Sequence, residues 1–173
     1  ELDGFDTHSN QVDPTDATKG THANLLKQLD EAIMAFLEDL ERLSVQDRVQ
    51  GMTFSEFGRR IVSNASWGTD HGSAGPMFFF GNLVKGGIVG EDYRIHGGMN
   101  YGNNLEHQYD FRQVYASVLE QWLCVDATDI KTSLLSDFES VPIVQPNACN
   151  LGPGNNSLTG AGKAWIAVNP NPI

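Results

Sequence analysis

The stretch from His22 to Leu43 constrains this chain most. Leu25, Leu26, Leu29, Ile33, Phe36, Leu37, Leu40 and Leu43 fall at i, i+3 and i+4 spacing, with acids and Lys27 between them. That spacing predicts a long amphipathic helix, with Thr21 as its cap. What flanks the helix points to the fold class. "VQGMTF" is short, apolar and bounded by polar turns, so Val49 to Phe54 reads as a strand. With "ELDGF" as the end of an earlier strand, Glu1 to Phe54 becomes a strand–helix–strand crossover, the unit that builds right-handed parallel α/β sheets.

Further along, "PMFFFGN" (Pro76 to Asn82) predicts a buried strand, and "KGGIVGE" a glycine-rich turn. Asp110 is a good N-cap for a second helix carrying Phe111, Val114, Tyr115, Val118, Leu119, Trp122 and Leu123 on one face. "FESVPIV" predicts a closing strand. From Gln145 onward Asn, Gly, Pro and Ser dominate, which is linker composition, so the domain is expected over residues 1–144 and a linker over 145–173. No internal repeat is visible.

Charge and hydropathy exclude some functions. The formal charge of −11 repels a phosphate backbone and leaves no basic stripe, so nucleic acid is not an expected partner. No run approaches the roughly eighteen apolar residues of a membrane span, and no secretion-type leader opens the chain. Cys124 and Cys149 can pair in an oxidising compartment or remain buried thiols, and their spacing does not choose.

Chemistry-bearing residues gather at the ends of the expected strands. Asp6 and His8 follow the first in "GFDTHSNQ", Glu56 follows the second in "FSEFGRR", and Asp70 and His71 precede the third in "WGTDHGSAGP". Loops at strand ends in an open α/β sheet converge on one crevice. Carboxylates and imidazoles gathered there suit zinc or another divalent ion. Each pair also has a plainer reading. Asp-x-His and Asp-His-Gly serve commonly as turn devices, and Glu56 beside Arg59 and Arg60 makes a local ion pair of little energetic consequence. His22 reads as a helix-start residue, His96 and His107 as solvated, and Cys124 as a small packed residue.

The blocks "LDGFDTHSNQ", "HANLLKQLDEAIMAFLEDLERL", "MTFSEFGRR", "GTDHGSAGPMFFFGNLVKGGIVGE" and "DFRQVYASVLEQWLCVD", in this order, resemble the C-terminal half of the domain-of-unknown-function 1501 family over Leu2 to about Val144. That family is related to the alkaline phosphatase and sulfatase superfamily. The resemblance therefore implies part of an alkaline-phosphatase-like sheet with flanking helices, its N-terminal half lying outside these residues.

The resemblance also implies a ligand set. In alkaline-phosphatase-like enzymes an Asp and a nearby His before a long helix bind the first metal, and Asp6 and His8 occupy that loop, with a narrower gap than is usual there. A later His returns to the same metal, a place that His71 fits, with Asp70 adjacent. The second metal's Asp-His pair is replaced by Glu56 followed by Phe57, and phenylalanine cannot ligate. The implied state is one divalent metal, zinc by donor type with calcium and manganese as alternatives, held by Asp6, His8 and His71, with Glu56 and Asp70 as further candidates, or a site that has lost its metal. The superfamily's hydroxyl nucleophile belongs to the N-terminal half, and no Ser or Thr here has a comparable setting. Thr7, between two proposed ligands, is explained by its strand-end position.

These implications lead to two readings: a metal-dependent phosphate- or sulfate-ester hydrolase, or a noncatalytic surface scaffold, for which Phe57 is the main sign. The expected partner is the N-terminal portion of the same fold. "WIAVNPNPI" resembles the start of the sorting domains of the type IX secretion system of Bacteroidetes-like bacteria, which implies export, contact with that machinery and a Cys124–Cys149 disulfide. A carbohydrate-adhesion role has only Trp67, Trp122 and Trp165 behind it, and Trp122 is better explained as core.

Overall fold

A computed structural model describes residues 2–91, 104–146, 148–150 and 162–169. The expected long helix is present as α1 (Thr21–Arg42). Its cap differs from expectation: Gly20, at φ 118°, precedes the helix, and no side chain caps it. The first-turn amides find backbone carbonyls instead, His22 N–H on Gln11 O at 3.1 Å and Asn24 N–H on Gly20 O at 3.2 Å. Only part of the apolar stripe is covered. Leu25 and Leu40 are buried, whereas Leu26, Met34, Phe36 and Leu43 are 38%, 41%, 45% and 70% exposed.

Among the described residues seven strands follow: β1 (Gly51–Met52), β2 (Gly58–Arg59), β3 (His71–Gly72), β4 (Gly75–Gly81), β5 (Gly87–Val89), β6 (Tyr109–Asp110) and β7 (Gly162–Asn169). One sheet has the order β1, β4, β7, β5, with β6 also on β7; β2 and β3 form a separate antiparallel pair. β4 matches the predicted "PMFFFGN" strand within one residue. The fold is mixed α/β, but the expected parallel crossover is absent. Residues 2–6 lie in no strand, and β1 pairs antiparallel with β4, Gly51 opposite Phe80. The physical reason is that the N-terminal segment bonds a loop: Thr7 O, Asn10 N–H and Gln11 N–H all meet residues 66–69.

Two further differences concern the C-terminal third. "FESVPIV" buries Val141, Ile143 and Val144 but is not a strand; Val144 makes one isolated bridge to Val84, and Pro142 has no N–H with which to extend a ladder. Residues 162–169, linker by composition, form β7, antiparallel to β4 from Gly75 opposite Val168 to Gly81 opposite Gly162, and parallel to β5 and β6. His96 and the last residues of "WIAVNPNPI" lie outside the described residues.

The core lies between β4, the segment 141–144 and α2 (Phe111–Gln121). Met77 and Phe79 alternate inward from β4 to meet Val84, Val114, Val141 and Ile143, with Tyr115, Val118 and Trp122 partly buried against them. Asp110 caps α2 as its sequence predicts: its Oδ1 accepts from Arg112 N–H at 2.8 Å, while Gln113 Oε1 accepts from Asp110 N–H at 3.0 Å. α3 (Ala127–Leu134) begins at Asp126, whose carboxylate accepts two backbone N–H bonds. Cys124 and Cys149 form a disulfide that ties the chain after α2 to the turn at 148–150. Cys124 is thus a bonded residue at φ 57°, not a packed thiol.

Ser117 joins α2 to the 141–144 segment. It is fully buried, donating to Gln113 O at 2.7 Å and accepting from Val141 N–H at 2.6 Å. Ser117→Ala leaves a buried amide unsatisfied, and urea denaturation should show a loss of about 1–3 kcal/mol.

Candidate functional site

Two loops and a two-residue ladder build the site. The first loop, residues 4–11, is joined to residues 64–70 by backbone bonds: Asn10 N–H to Ser66 O (3.0 Å), Gln11 N–H to Trp67 O (2.8 Å) and Thr69 N–H to Thr7 O (3.2 Å). The Gln11 side chain reinforces them, its Oε1 accepting from Thr7 Oγ1 at 2.9 Å and Thr69 Oγ1 at 2.7 Å. Asn64 adds its amide, donating to His8 O at 2.8 Å and Asp70 Oδ1 at 3.2 Å. The close approach requires glycine at 68, where a Cβ would lie 2.3 Å from the His8 carbonyl carbon.

β2 and β3 supply the opposite wall. Their register places Arg59 across from His71 and Gly58 across from Gly72. Residues directly opposite in a ladder share a face, so the guanidinium and the imidazole point to the same side. The pair approaches β4 closely at its glycine, because a Cβ on Gly58 would lie 1.8 Å from Ala74 O.

Asp6 Oδ1 is the meeting point. It lies 2.7 Å from Arg59 Nη1, 3.0 Å from His71 Nε2 and 3.1 Å from His8 Nε2. One donor atom from each of Asp6, His8 and His71 falls within 4.8 Å of the others, and all three residues are exposed. His8 turns its other nitrogen, Nδ1, to Asp70 Oδ1 at 3.4 Å. His8 thus faces a carboxylate from each ring nitrogen, Asp6 from Nε2 and Asp70 from Nδ1. Phe57 stacks on His71, centroids 3.7 Å apart and planes 13° apart. A ring on the imidazole face leaves its in-plane nitrogens open.

Of the five residues singled out from the sequence, Asp6, His8, His71 and Asp70 are brought together, with Asp70 behind His8. Glu56 stands outside the cluster and lines a neighbouring pocket. Sequence reasoning missed Arg59, read as a partner of Glu56; it pairs with Asp6 instead. The only sequence signal was its place beside Gly58, in a ladder too short to show periodicity. Thr7 is 5% exposed, donates to Gln11 and accepts from Arg59 Nη2 at 3.4 Å, so its hydroxyl is committed to structure.

The electrostatics follow from these contacts. Burial pushes the Asp6 carboxyl up, but the hydrogen bonds from His71 and Arg59 and the charges of His8 and His71 outweigh it and hold Asp6 below the ordinary carboxylate range. His22, at the start of α1, meets Phe5 edge-on with ring centroids 5.9 Å apart and has a buried Nδ1 without a partner among the described residues. Desolvation, and then the charge of Arg59, lowers its pKa.

Two outcomes are expected. Gly68→Ala forces the 64–70 loop away from His8 and should cost about 1–3 kcal/mol in a thermal melt. His22 binds its proton less readily folded than unfolded, so stability should fall as pH drops below about 6.5 toward the lowered folded value. Melts from pH 7.5 to 5 should show this slope, and His22→Asn should reduce it.

Among the described residues no helix is long and apolar enough to cross a membrane. No curated protein and no solved structure matches the chain. One family model does, that of the "Protein of unknown function (DUF1501)", over residues 1–129. By that match, which takes in the loops of the Asp6 cluster, both walls of the site and all of α2, the chain belongs to the DUF1501 family.

Proposed function

We propose that these residues form the metal-binding part of an exported, metal-dependent hydrolase of phosphate or sulfate esters, related to the alkaline phosphatase and sulfatase superfamily. The observation that carries the reading is the convergence of Asp6, His8 and His71 within 4.8 Å. Two imidazoles and a carboxylate with an open side fit a catalytic zinc-type ion. A divalent ion held there would lower the pKa of an oxygen nucleophile and stabilise charge on the transferring oxygens. Asp70 faces the outer ring nitrogen of His8, Phe57 holds the plane of His71, and Arg59 supplies a fixed positive charge that matches an oxyanion.

The resemblance to that superfamily implies a nucleophile from the N-terminal half of the fold, and the Thr7 hydroxyl is committed to Gln11 and Arg59. The half-covered stripe of α1 supports a cover from that same half, completing the alkaline-phosphatase-like sheet. Export to the cell surface or medium is supported by the Cys124–Cys149 disulfide. The type IX route rests on the Asn-Pro sequence after β7 alone.

A second reading, a noncatalytic scaffold, is favoured by Arg59 on the Asp6 oxygen and by Phe57 in place of a second-metal ligand. Elemental analysis of folded, chelator-free protein decides between them. The hydrolase reading expects one equivalent of zinc, manganese or calcium, lost in His71→Ala and weakened about 10–100-fold in Asp70→Asn. Absence of metal from the wild type would overturn the metal-dependent reading and favour the scaffold.

A further inference from the structure

Phe57 also lines a second feature, whose other residues the hydrolase reading leaves without a role. A pocket of about 190 Å³ is lined by Phe54, Glu56, Phe57, Met77, Phe111 and Tyr115. It is too small for a drug-sized ligand and large enough for a compact organic group. Phe111 and Tyr115, one turn apart on α2, meet edge-on with centroids 5.4 Å apart. Phe54 is 78% exposed, which leaves its ring open to a ligand.

The carboxylate decides what kind of group fits. Glu56 has no hydrogen bond or ion pair among the described residues, although two arginines follow it closely in sequence. Arg59 is drawn to Asp6 and lies with its guanidinium carbon 5.7 Å from the centroid of Phe57. Arg112 stands over Phe111 at the same 5.7 Å, so Phe54 and Tyr115 are the lining rings without an arginine over them. A carboxylate without a partner among the described residues, set in this aromatic lining, disfavours an anion and gives a neutral aryl group nothing to match its charge. It suits a cation, which the ring quadrupoles and the carboxylate attract together. The formal charge of −11 adds a general attraction for cations.

We propose that this pocket binds a small organic cation of the quaternary or alkylated ammonium class, and that the cation is the organic end of the ester whose anionic end meets the Asp6 cluster. The second clause rests on the hydrolase reading; the first does not. Phe57 is the shared wall, stacked on His71 and lining the pocket.

The test uses choline and its neutral isostere 3,3-dimethylbutan-1-ol, titrated calorimetrically into metal-free protein. Choline is expected to bind at least about 10-fold more tightly than the isostere, and Glu56→Gln to abolish that preference. The exposed position of Glu56 makes the variant expected to fold, which circular dichroism checks, and Phe54→Ala, also exposed, should weaken choline as well. Equal binding of the two probes, an unchanged Glu56→Gln variant, or no binding of choline overturns the cation site. Phosphocholine titrated into zinc-loaded protein should bind more tightly than choline or inorganic phosphate alone; equal affinity overturns the link to the ester. Failure to load any of zinc, manganese or calcium defeats the hydrolase reading, and with it the link, while the metal-free titration still decides the cation site.

Discussion

The backbone junction between residues 7–11 and 66–69 is the constraint on which the site depends. Three main-chain hydrogen bonds, and a glutamine amide oxygen shared by two buried threonines, hold together segments some sixty residues apart in sequence. Without that junction Asp6 and His8 would occupy a free loop, and Asp70 and His71 another. Hydrogen bonds of this kind are individually worth only about 1 kcal/mol net. Their combined effect is geometric, since glycine at 68 lets the two loops of the junction touch at the His8 carbonyl.

Arg59 and Phe57 show how the same site is balanced. The guanidinium holds Asp6 ionised and aims it at both imidazoles, and the phenyl ring holds the plane of His71. Arg59 also competes with an alternative, since it occupies an Asp6 oxygen that a metal would use. A cation at the cluster has to share Asp6 with a guanidinium or displace it. That competition is the physical core of the choice between hydrolase and scaffold.

Away from the site, stability is concentrated in the β4 and α2 half of the molecule. Phe79, Val84, Val114 and Ile143 are almost wholly buried, at roughly 1.5–3 kcal/mol of hydrophobic stabilisation for each large side chain. α1 contributes less than its length suggests, because Phe36 and Leu43 remain substantially exposed on the stripe. The disulfide and Ser117 then fasten the 141–149 segment to α2, doing with a covalent link and a buried hydroxyl what a regular strand would do with a ladder.

Local signals were legible in the sequence where a residue acts on its near neighbours. The period of α1, the Asp110 cap of α2, the apolar run of β4 and the Asp-His pairs could all be read directly, since helices, caps and buried strands depend on residues within a turn or two. Pairing across long separations could not. Whether "ELDGF" joins a sheet or a loop, whether "VPIV" extends a ladder, and whether residues 162–169 are linker or strand all depend on which distant backbone groups come within reach. The same holds for Arg59, whose partner was settled by a two-residue register opposite His71 and not by its nearness to Glu56. Sequence by itself determined the chemical groups available and their local placement; tertiary structure decided which met, because a hydrogen bond or ion pair is chosen by distance in space and not along the chain.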